Sequence, residues 1–209
     1  MFDAATLGVF MAATLALNLA PGPDMLYVST RSLAQGRRAG IVSALGIAVG
    51  AVVHTLAIAS GLTALLHAVP LAYDAVRLAG AAYLIWLGIQ ALRAPGSASG
   101  RPQLAPASHW AIFRQGMITN LLNPKVALFF LAFLPQFVDA SRGPVAVQII
   151  LLGCLFNTSG TVVNIAVAWL AAGTRRWLVA GGRGEQIFRW LTGSVFIGLG
   201  VRLALADRR

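Results

Sequence analysis

Residues 18–28, NLAPGPDMLYV, decide how this chain is interpreted. Two prolines, a glycine and an aspartate interrupt an apolar run that extends from about residue 4 to residue 29. Proline breaks helices and a carboxylate in hydrocarbon is costly, so this run is not an ordinary spanning helix. We expect the helix to stop near Pro21 and to restart, with Gly22 as its cap and Pro23 in the first position. Asp24 then takes the second position, where the helix dipole favours a negative charge.

A second interruption of the same form lies in NLLNPKVALFF, residues 120–130. Asn123 is a strong cap for a new helical segment, and Pro124 suits its first position. Lys125 then sits at the positive end of a helix dipole, where it loses roughly 0.3–1 kcal/mol, so we expect an anionic group to compensate it. Counts along ideal helices allow Asp24 and Lys125 to meet, or to share a substrate between them.

The composition identifies a membrane protein. Of the 209 residues, 58% are hydrophobic and 11% are charged, with a mean hydropathy of +0.77, whereas an average soluble domain has roughly 25% charged residues. The net charge of +10 would suggest nucleic acid in a soluble chain. Here, however, the arginines lie in short clusters between apolar runs, where they anchor loops at the lipid surface. The lipid bilayer, and no nucleic acid, is therefore the expected partner.

Covalent and metal chemistry receive little support from the residue inventory. The single cysteine, Cys154, excludes an intramolecular disulfide and a two-thiol redox centre. A divalent-cation site needs several carboxylates, histidines or thiolates. Asp24 and His54 do not make one, so no metal and no cofactor are expected.

Six apolar runs have about the 20 residues that a spanning helix needs; they are 4–29, 41–66, 71–92, 113–138, 144–172 and 187–206. The stretch 93–112 is rich in proline, glycine and serine, as linkers are, and it separates residues 1–92 from 113–209. We therefore predict an all-α membrane protein with six transmembrane helices in two three-helix repeats. Because three is an odd number, the second repeat enters the membrane from the opposite side. Helices 1 and 4 are the broken ones, and such matched breaks indicate a transporter's binding site.

Arginine placement predicts the orientation. Ten of the sixteen basic residues fall on one side of this topology, which the positive-inside rule assigns to the cytoplasm; they are Arg31, Arg37, Arg38, Arg93, Arg101, Arg114, Arg175, Arg176, Arg183 and Arg189. The linker is then cytoplasmic, and both termini are periplasmic. The N-terminus carries Asp3 and no basic residue before its apolar run, which is not typical of a cleaved signal peptide.

Other polar residues in the apolar runs have two interpretations each. His54 could relay protons, since its unperturbed pKa lies near 6.5, but a lone histidine can equally be only hydrogen-bonded. Asn157 and Asn164 either line a polar path or join helices. Gly46 and Gly50, four residues apart, are expected to let the second helix pack closely against a neighbour.

Three segments resemble the lysine/threonine/homoserine exporter family, called LysE or RhtB. They are LAPGPDMLYVSTRSLAQGRRAGIVSALGIAVG, LLNPKVALFFLAFLPQFVD and GSVFIGLGVRLAL, and the resemblance covers nearly the whole chain. It implies export of amino acids across the bacterial inner membrane, driven by the proton gradient. The family's proline-glycine-proline motif corresponds to Pro21, Gly22 and Pro23 with Asp24 following, and its asparagine-proline-lysine motif to Asn123, Pro124 and Lys125. Ala51 is a departure, since relatives carry a polar or acidic residue there.

Together these features predict an inner-membrane exporter of amino acids or close derivatives, threonine/homoserine-like or lysine-like, that works by alternating access and proton antiport. Asp24 would hold the substrate's ammonium, while Lys125 and the backbone N–H groups after Pro124 would hold its carboxylate. Asp24 and His54 are the candidates for proton coupling. A passive channel and a membrane-embedded enzyme are the alternatives, although the helices show neither a nucleophile with its base nor paired cysteines. The exported amino acid is left open, and a homo-oligomer is compatible with the sequence.

Overall fold

The structure, a computed structural model, describes residues 2–68 and 106–173 together with single positions within 78–93 and 190–204. The elements in the two long stretches are all helical. They are α1 (Ala4–Leu19), α2 (Pro23–Gln35), α3 (Arg37–Ala68), α4 (His109–Leu121), α5 (Pro124–Leu128) and α6 (Val145–Gly173). After α5 the chain continues in a π-helical turn, Phe129–Phe133, and two 3₁₀ turns, Leu134–Phe137 and Ala140–Arg142.

The described helices supply two continuous and two broken candidate membrane spans. α3 over Arg37–Gly61 and α6 over Val145–Ala171 are each long and apolar enough to cross a bilayer. α1 and α2 form one span bent by 48°, and α4 with Pro124–Phe137 forms another bent by 46°. The predicted breaks in helices 1 and 4 are therefore confirmed. The predicted spans 71–92 and 187–206 lie outside the described residues, apart from single positions that are helical.

The first break follows from proline chemistry. In a continuous helix the carbonyl of Leu17 would accept from the N–H of residue 21, but Pro21 has none. Ala20 turns to an extended conformation with ψ 128°, and Gly22 is also extended. α2 then starts at Pro23, as predicted, because a proline at the first helical position loses no hydrogen bond that the helix would otherwise make.

The second break uses an asparagine cap. The Asn123 Oδ1 accepts from the backbone N–H of Lys125 at 3.1 Å, and Pro124 occupies the first position of α5. This start was predicted, but the unwinding into π-helical and 3₁₀ turns over residues 129–137 was not. Pro135 lies in the second of these turns, where its missing N–H prevents a regular helix.

Glycines allow α3 to approach its neighbours closely. A Cβ atom at Gly46 would lie 2.1 Å from the carbonyl oxygen of Phe113 in α4, and one at Gly50 would lie 2.8 Å from the Cβ of Asn120. The close packing predicted for Gly46 and Gly50 is therefore confirmed. Small residues at such crossings let backbones make the van der Waals contacts that hold membrane helices together.

The two ends of the bundle differ in chemistry. At the arginine-rich end, the Gln35 side chain donates to the carbonyl of Ala107 at 3.0 Å, and the Arg37 guanidinium lies 4.6 Å from the ring centre of Trp169. At the opposite end, Arg142 pairs with Asp3 at 3.2 Å. There the backbone N–H of Thr6 donates to Asp3 and lowers the pKa of that carboxyl below its usual range. The helices between these ends enclose the candidate site.

Candidate functional site

A polar cavity lies where the two helix breaks meet. Each of the described helices α1 to α6 contributes to its wall, which is lined by Leu17, Asn18, Ala20, Asp24, Met25, Ile47, Ala51, Asn120, Lys125, Val126, Phe156, Asn157, Gly160, Thr161 and Asn164. The cavity has about 30 Å³ of space for the centres of water molecules. Since one water needs about 10–15 Å³ by this measure, it has room for about two or three waters. A small organic solute therefore fits only if the helices move apart.

Lys125, at the second helix break, hydrogen-bonds to the chain at the first break. Its Nζ donates to the carbonyl of Leu17 at 3.0 Å and to the carbonyl of Ala20 at 2.9 Å, and the side chain is buried. Because Pro21 has no N–H, the Leu17 carbonyl lacks the donor that a continuous helix would give it and keeps only the N–H of Ala20, at 3.2 Å. The ammonium therefore replaces a missing N–H and also lies at the negative, C-terminal end of the α1 dipole.

The group that bonds Lys125 is not the Asp24 carboxylate that the sequence suggests. Ion pairs of 4.0 Å or less join Arg142 to Asp3 and Asp139, but within the described part of the chain none joins Lys125 to Asp24. Asp24 and Lys125 nevertheless line the same cavity. The structure thus brings the two charges to one site while a helix end, rather than the aspartate, binds the lysine directly.

Gly22 makes room for the lysine side chain. A Cβ atom at this position would lie 3.1 Å from the Nζ of Lys125 and 3.3 Å from its Cε. Any larger residue would therefore crowd the ammonium that bridges the two breaks. Pro21 and Pro23 flank this glycine and set where α1 ends and α2 begins.

Asp24 makes one side-chain hydrogen bond of 3.5 Å or less, and the Asn123 side chain also lies near its carboxylate. Its Oδ2 accepts from the Nδ2 of Asn120 at 2.7 Å, whereas its Oδ1 is buried without a hydrogen bond. The Asn120 Oδ1 and the Asn123 Nδ2 are likewise buried and unpaired in the structure as described. Each such atom costs roughly 1–3 kcal/mol, so native proteins keep few of them. Their grouping at the two breaks is typical of a site that a polar ligand completes.

Asn120 is a site residue that the sequence analysis missed. It is almost fully buried in α4, and besides bonding Asp24 it packs against Gly50. A signal was present in the sequence, because Asn120 is a polar residue within the apolar run 113–138, four positions before Pro124.

His54 lies on the other side of Asn120. Its Nε2 is 3.2 Å from the backbone oxygen of Asn120, and its ring stacks on Phe130 with centroids 5.9 Å apart. His54 does not line the cavity. The two proton-coupling candidates, Asp24 and His54, therefore both contact Asn120, and no hydrogen bond between them is found in the described part of the chain.

α6 supplies the uncharged polar wall of the cavity. The Asn157 Nδ2 donates to the carbonyl of Ala48 at 3.2 Å, and its Oδ1 accepts from the hydroxyl of Thr161 at 3.3 Å. Asn164 also lines the cavity and is buried. Opposite them, Ala51 presents an apolar surface, where the family resemblance leads one to expect a polar side chain.

Two broken membrane helices whose breaks meet at a polar cavity define a class of protein, the membrane transporters with discontinuous helices. Comparison with known families narrows this class to one family. The model of the family described as "LysE type translocator" matches residues 15–207, so the chain belongs to that family, as the motifs predicted. It is accordingly a transport protein of the membrane and not an enzyme.

Relatives of similar length are named as efflux proteins. A homoserine/homoserine lactone efflux protein of Salmonella typhimurium is 32% identical over 197 residues, which cover 94% of this chain and 95% of the relative. A leucine efflux protein of Salmonella choleraesuis is 28% identical over 202 residues, covering 93% and 92%. An uncharacterized membrane protein of Vibrio cholerae is 30% identical over 197 residues, covering 94% and 95%. No solved structure matches the chain.

Proposed function

We propose that this protein is a secondary transporter of the bacterial inner membrane that exports amino acids or their close derivatives by alternating access. The observation that carries the proposal is that Asp24 and Lys125 line one and the same cavity. An amino acid zwitterion needs an anion for its ammonium and a cation for its carboxylate, and the two helix breaks supply one each. The names of the relatives, which mention homoserine, its lactone and leucine, support the same substrate class.

The unpaired atoms suggest how the zwitterion binds. The free Oδ1 of Asp24 would accept from the substrate's ammonium, and the ammonium of Lys125 would bind its carboxylate with help from the Asn123 amide. The backbone N–H groups after Pro124 are a weaker anchor than the sequence suggested. That of Lys125 already bonds the Asn123 side chain, and that of Val126 bonds the Asn123 carbonyl at 3.1 Å. The lysine side chain therefore carries most of the carboxylate's charge compensation in this proposal.

Proton antiport is proposed to use Asp24. A carboxylate that binds the substrate's ammonium in one state and a proton in the other would exchange the two cargoes at one place. Asp24→Asn should then abolish efflux driven by a pH gradient. If this variant still concentrates substrate at the wild-type rate, Asp24 is not the coupling residue and His54 becomes the candidate.

The proposed architecture is six helices in two inverted repeats, 1–92 and 113–209, joined by a cytoplasmic linker, 93–112. The matched breaks in the described spans support the repeats, and the arginine-rich end supports the orientation. Both termini are then periplasmic. A reporter that is active only in the periplasm should be silent when fused at Ser97, and strong activity there would invert the topology.

Efflux from proteoliposomes tests the function directly. Purified protein is reconstituted, radiolabelled homoserine and leucine are supplied on one side, and accumulation is followed with and without an imposed pH gradient. We expect accumulation above equilibrium only with the gradient and only when Lys125 is intact. Val162→Leu, at a position that is 62% exposed on α6 and outside the cavity wall, is the matched control. A passive channel would give flux without accumulation, and absence of flux for both solutes would refute the proposal.

A further inference from the structure

One amide side chain in the cavity wall has no hydrogen-bond partner among the described residues. Asn164 is 8% exposed, lines the cavity and makes no hydrogen bond with any residue that the structure describes. Its polar neighbours on α6 are already engaged, since Asn157 bonds Ala48 and Thr161 bonds Asn157. Of the two roles open to Asn157 and Asn164 in the sequence, joining helices therefore suits Asn157, and a polar path suits Asn164.

Asn164 lies at the depth of the charged groups. α2 and α6 run in the same direction, because both approach the arginine-rich end at their C-termini, and Val28 and Ala168 belong to one buried cluster between them. Asp24 lies one turn before Val28, and Asn164 lies one turn before Ala168. Asp24 and Asn164 therefore line the cavity at a similar level.

The level of Lys125 is one turn earlier on α6, toward its N-terminus. Gly160 lies against the side chain of Asn18, whose neighbour Leu17 accepts from Lys125. The wall between Gly160 and Asn164 thus spans about 6 Å, from the level of the lysine to that of the aspartate. A bound amino acid would lie along this wall.

We propose that Asn164, with Thr161 beside it, is the subsite for the substrate's side chain and selects an uncharged hydrogen-bonding side chain over an aliphatic one of the same size. The inference rests on the proposed function. α2 and α5 supply the charges that would hold the ammonium and the carboxylate, so the third substituent on the α-carbon points toward α6, the uncharged polar wall. A hydroxyl there hydrogen-bonds with the Asn164 amide, whereas a methyl group covers the amide and leaves it without a partner.

The rest of the wall does not oppose this selection. Ile47, Ala51 and Phe156 are apolar, and an apolar pocket discriminates weakly between a methyl group and a hydroxyl group of similar size. The unpaired amide therefore decides the preference, by about tenfold in favour of the hydroxyl.

The test compares two substrates that differ in one group. The side chains of L-homoserine and L-norvaline have the same length, and a terminal hydroxyl in the first is a methyl in the second. We expect wild-type protein in proteoliposomes to transport homoserine about tenfold more efficiently than norvaline, as the ratio of kcat/KM. Asn164→Leu should bring that ratio to about one. Val162→Leu, outside the cavity wall on the same helix, should keep the wild-type ratio.

Each outcome decides between specific explanations. Equal transport of the two substrates by the wild type overturns the subsite while leaving the amino acid transporter intact, and this result needs no variant to fold. If Asn164→Leu slows both substrates equally, Asn164 joins helices and the subsite is again overturned. Asn164→Ala provides a second comparison if the leucine variant does not insert, with the same ratio as its readout. Failure of the wild type to move any amino acid refutes the proposed function itself.

Discussion

Replacing Lys125 by methionine should separate the structural role of its ammonium from its role in transport. The change removes the donor to the carbonyls of Leu17 and Ala20. The Ala20 carbonyl is then left unpaired, which costs about 1–3 kcal/mol, whereas the Leu17 carbonyl keeps the N–H of Ala20 at 3.2 Å and loses one hydrogen bond, about 0.5–1.5 kcal/mol. Removing a charge from this depth stabilises the protein by about 2.5–3.5 kcal/mol. The middles of these ranges cancel, so we expect the free energy of unfolding to change by less than about 1 kcal/mol, with transport abolished.

A second substitution tests the role of the contact between Lys125 and Leu17. Pro21→Ala gives residue 21 an N–H, which can bond the Leu17 carbonyl once the helix continues by one residue. In the Lys125→Met background this bond should restore about 1 kcal/mol, or about 2–4 °C in Tm. With Lys125 present the carbonyl is already paired, so the same change should stabilise the protein less or not at all.

The assay is a double-mutant cycle on thermal unfolding of the four purified proteins in detergent. Pro23→Ala is the matched control, because the carbonyl that it would satisfy belongs to Leu19, which Lys125 does not contact. We expect a coupling of about 1 kcal/mol for residue 21 and none for residue 23. If Pro21→Ala shifts Tm equally in both backgrounds, the ammonium is not a substitute for the missing N–H and the explanation of the break is wrong.

Three further changes test the packing around the site. Gly46→Ala should destabilise the protein by about 1–3 kcal/mol, because its Cβ would meet a backbone carbonyl at 2.1 Å, whereas Gly61→Ala, with nothing within 4 Å, should not lower Tm. Asn120→Leu should lower transport about tenfold by removing the donor that orients the Asp24 carboxylate, while Tm measures its effect on folding. Gln115→Leu should cost about 1–3 kcal/mol, since Gln115 accepts from the buried Arg31 at 2.7 Å, and unchanged Tm would contradict this.

The first residue of each helix that follows a break could be predicted from the sequence. α2 starts at Pro23 after Gly22, and α5 starts at Pro124 after Asn123, as the capping rules predict. Such predictions succeed because the missing N–H of proline and the cap of asparagine act within one turn of the chain. They do not depend on how distant segments pack.

The partner of Lys125 could not be predicted in the same way. The dipole argument predicted an anionic group near the lysine, whereas the groups that bond it are neutral backbone carbonyls. These two carbonyls lie more than a hundred positions away, at separations of 108 and 105 residues. Backbone carbonyls are present at every position, so the sequence does not indicate which two will accept from the lysine until the packing of α1 against α5 is known.

In the proposed mechanism, the contact between the Lys125 ammonium and the end of α1 links substrate binding to the geometry of the breaks. A lysine ammonium has three N–H donors, and two of them bond α1, which leaves one directed elsewhere. A carboxylate arriving at Lys125 competes for the same ammonium, so binding weakens the hold of α5 on the end of α1. By the same linkage, a state in which α1 and α5 separate must bind the carboxylate more tightly than the closed state does. The residue that compensates the substrate's charge is therefore also the one whose contacts must change for the cavity to widen.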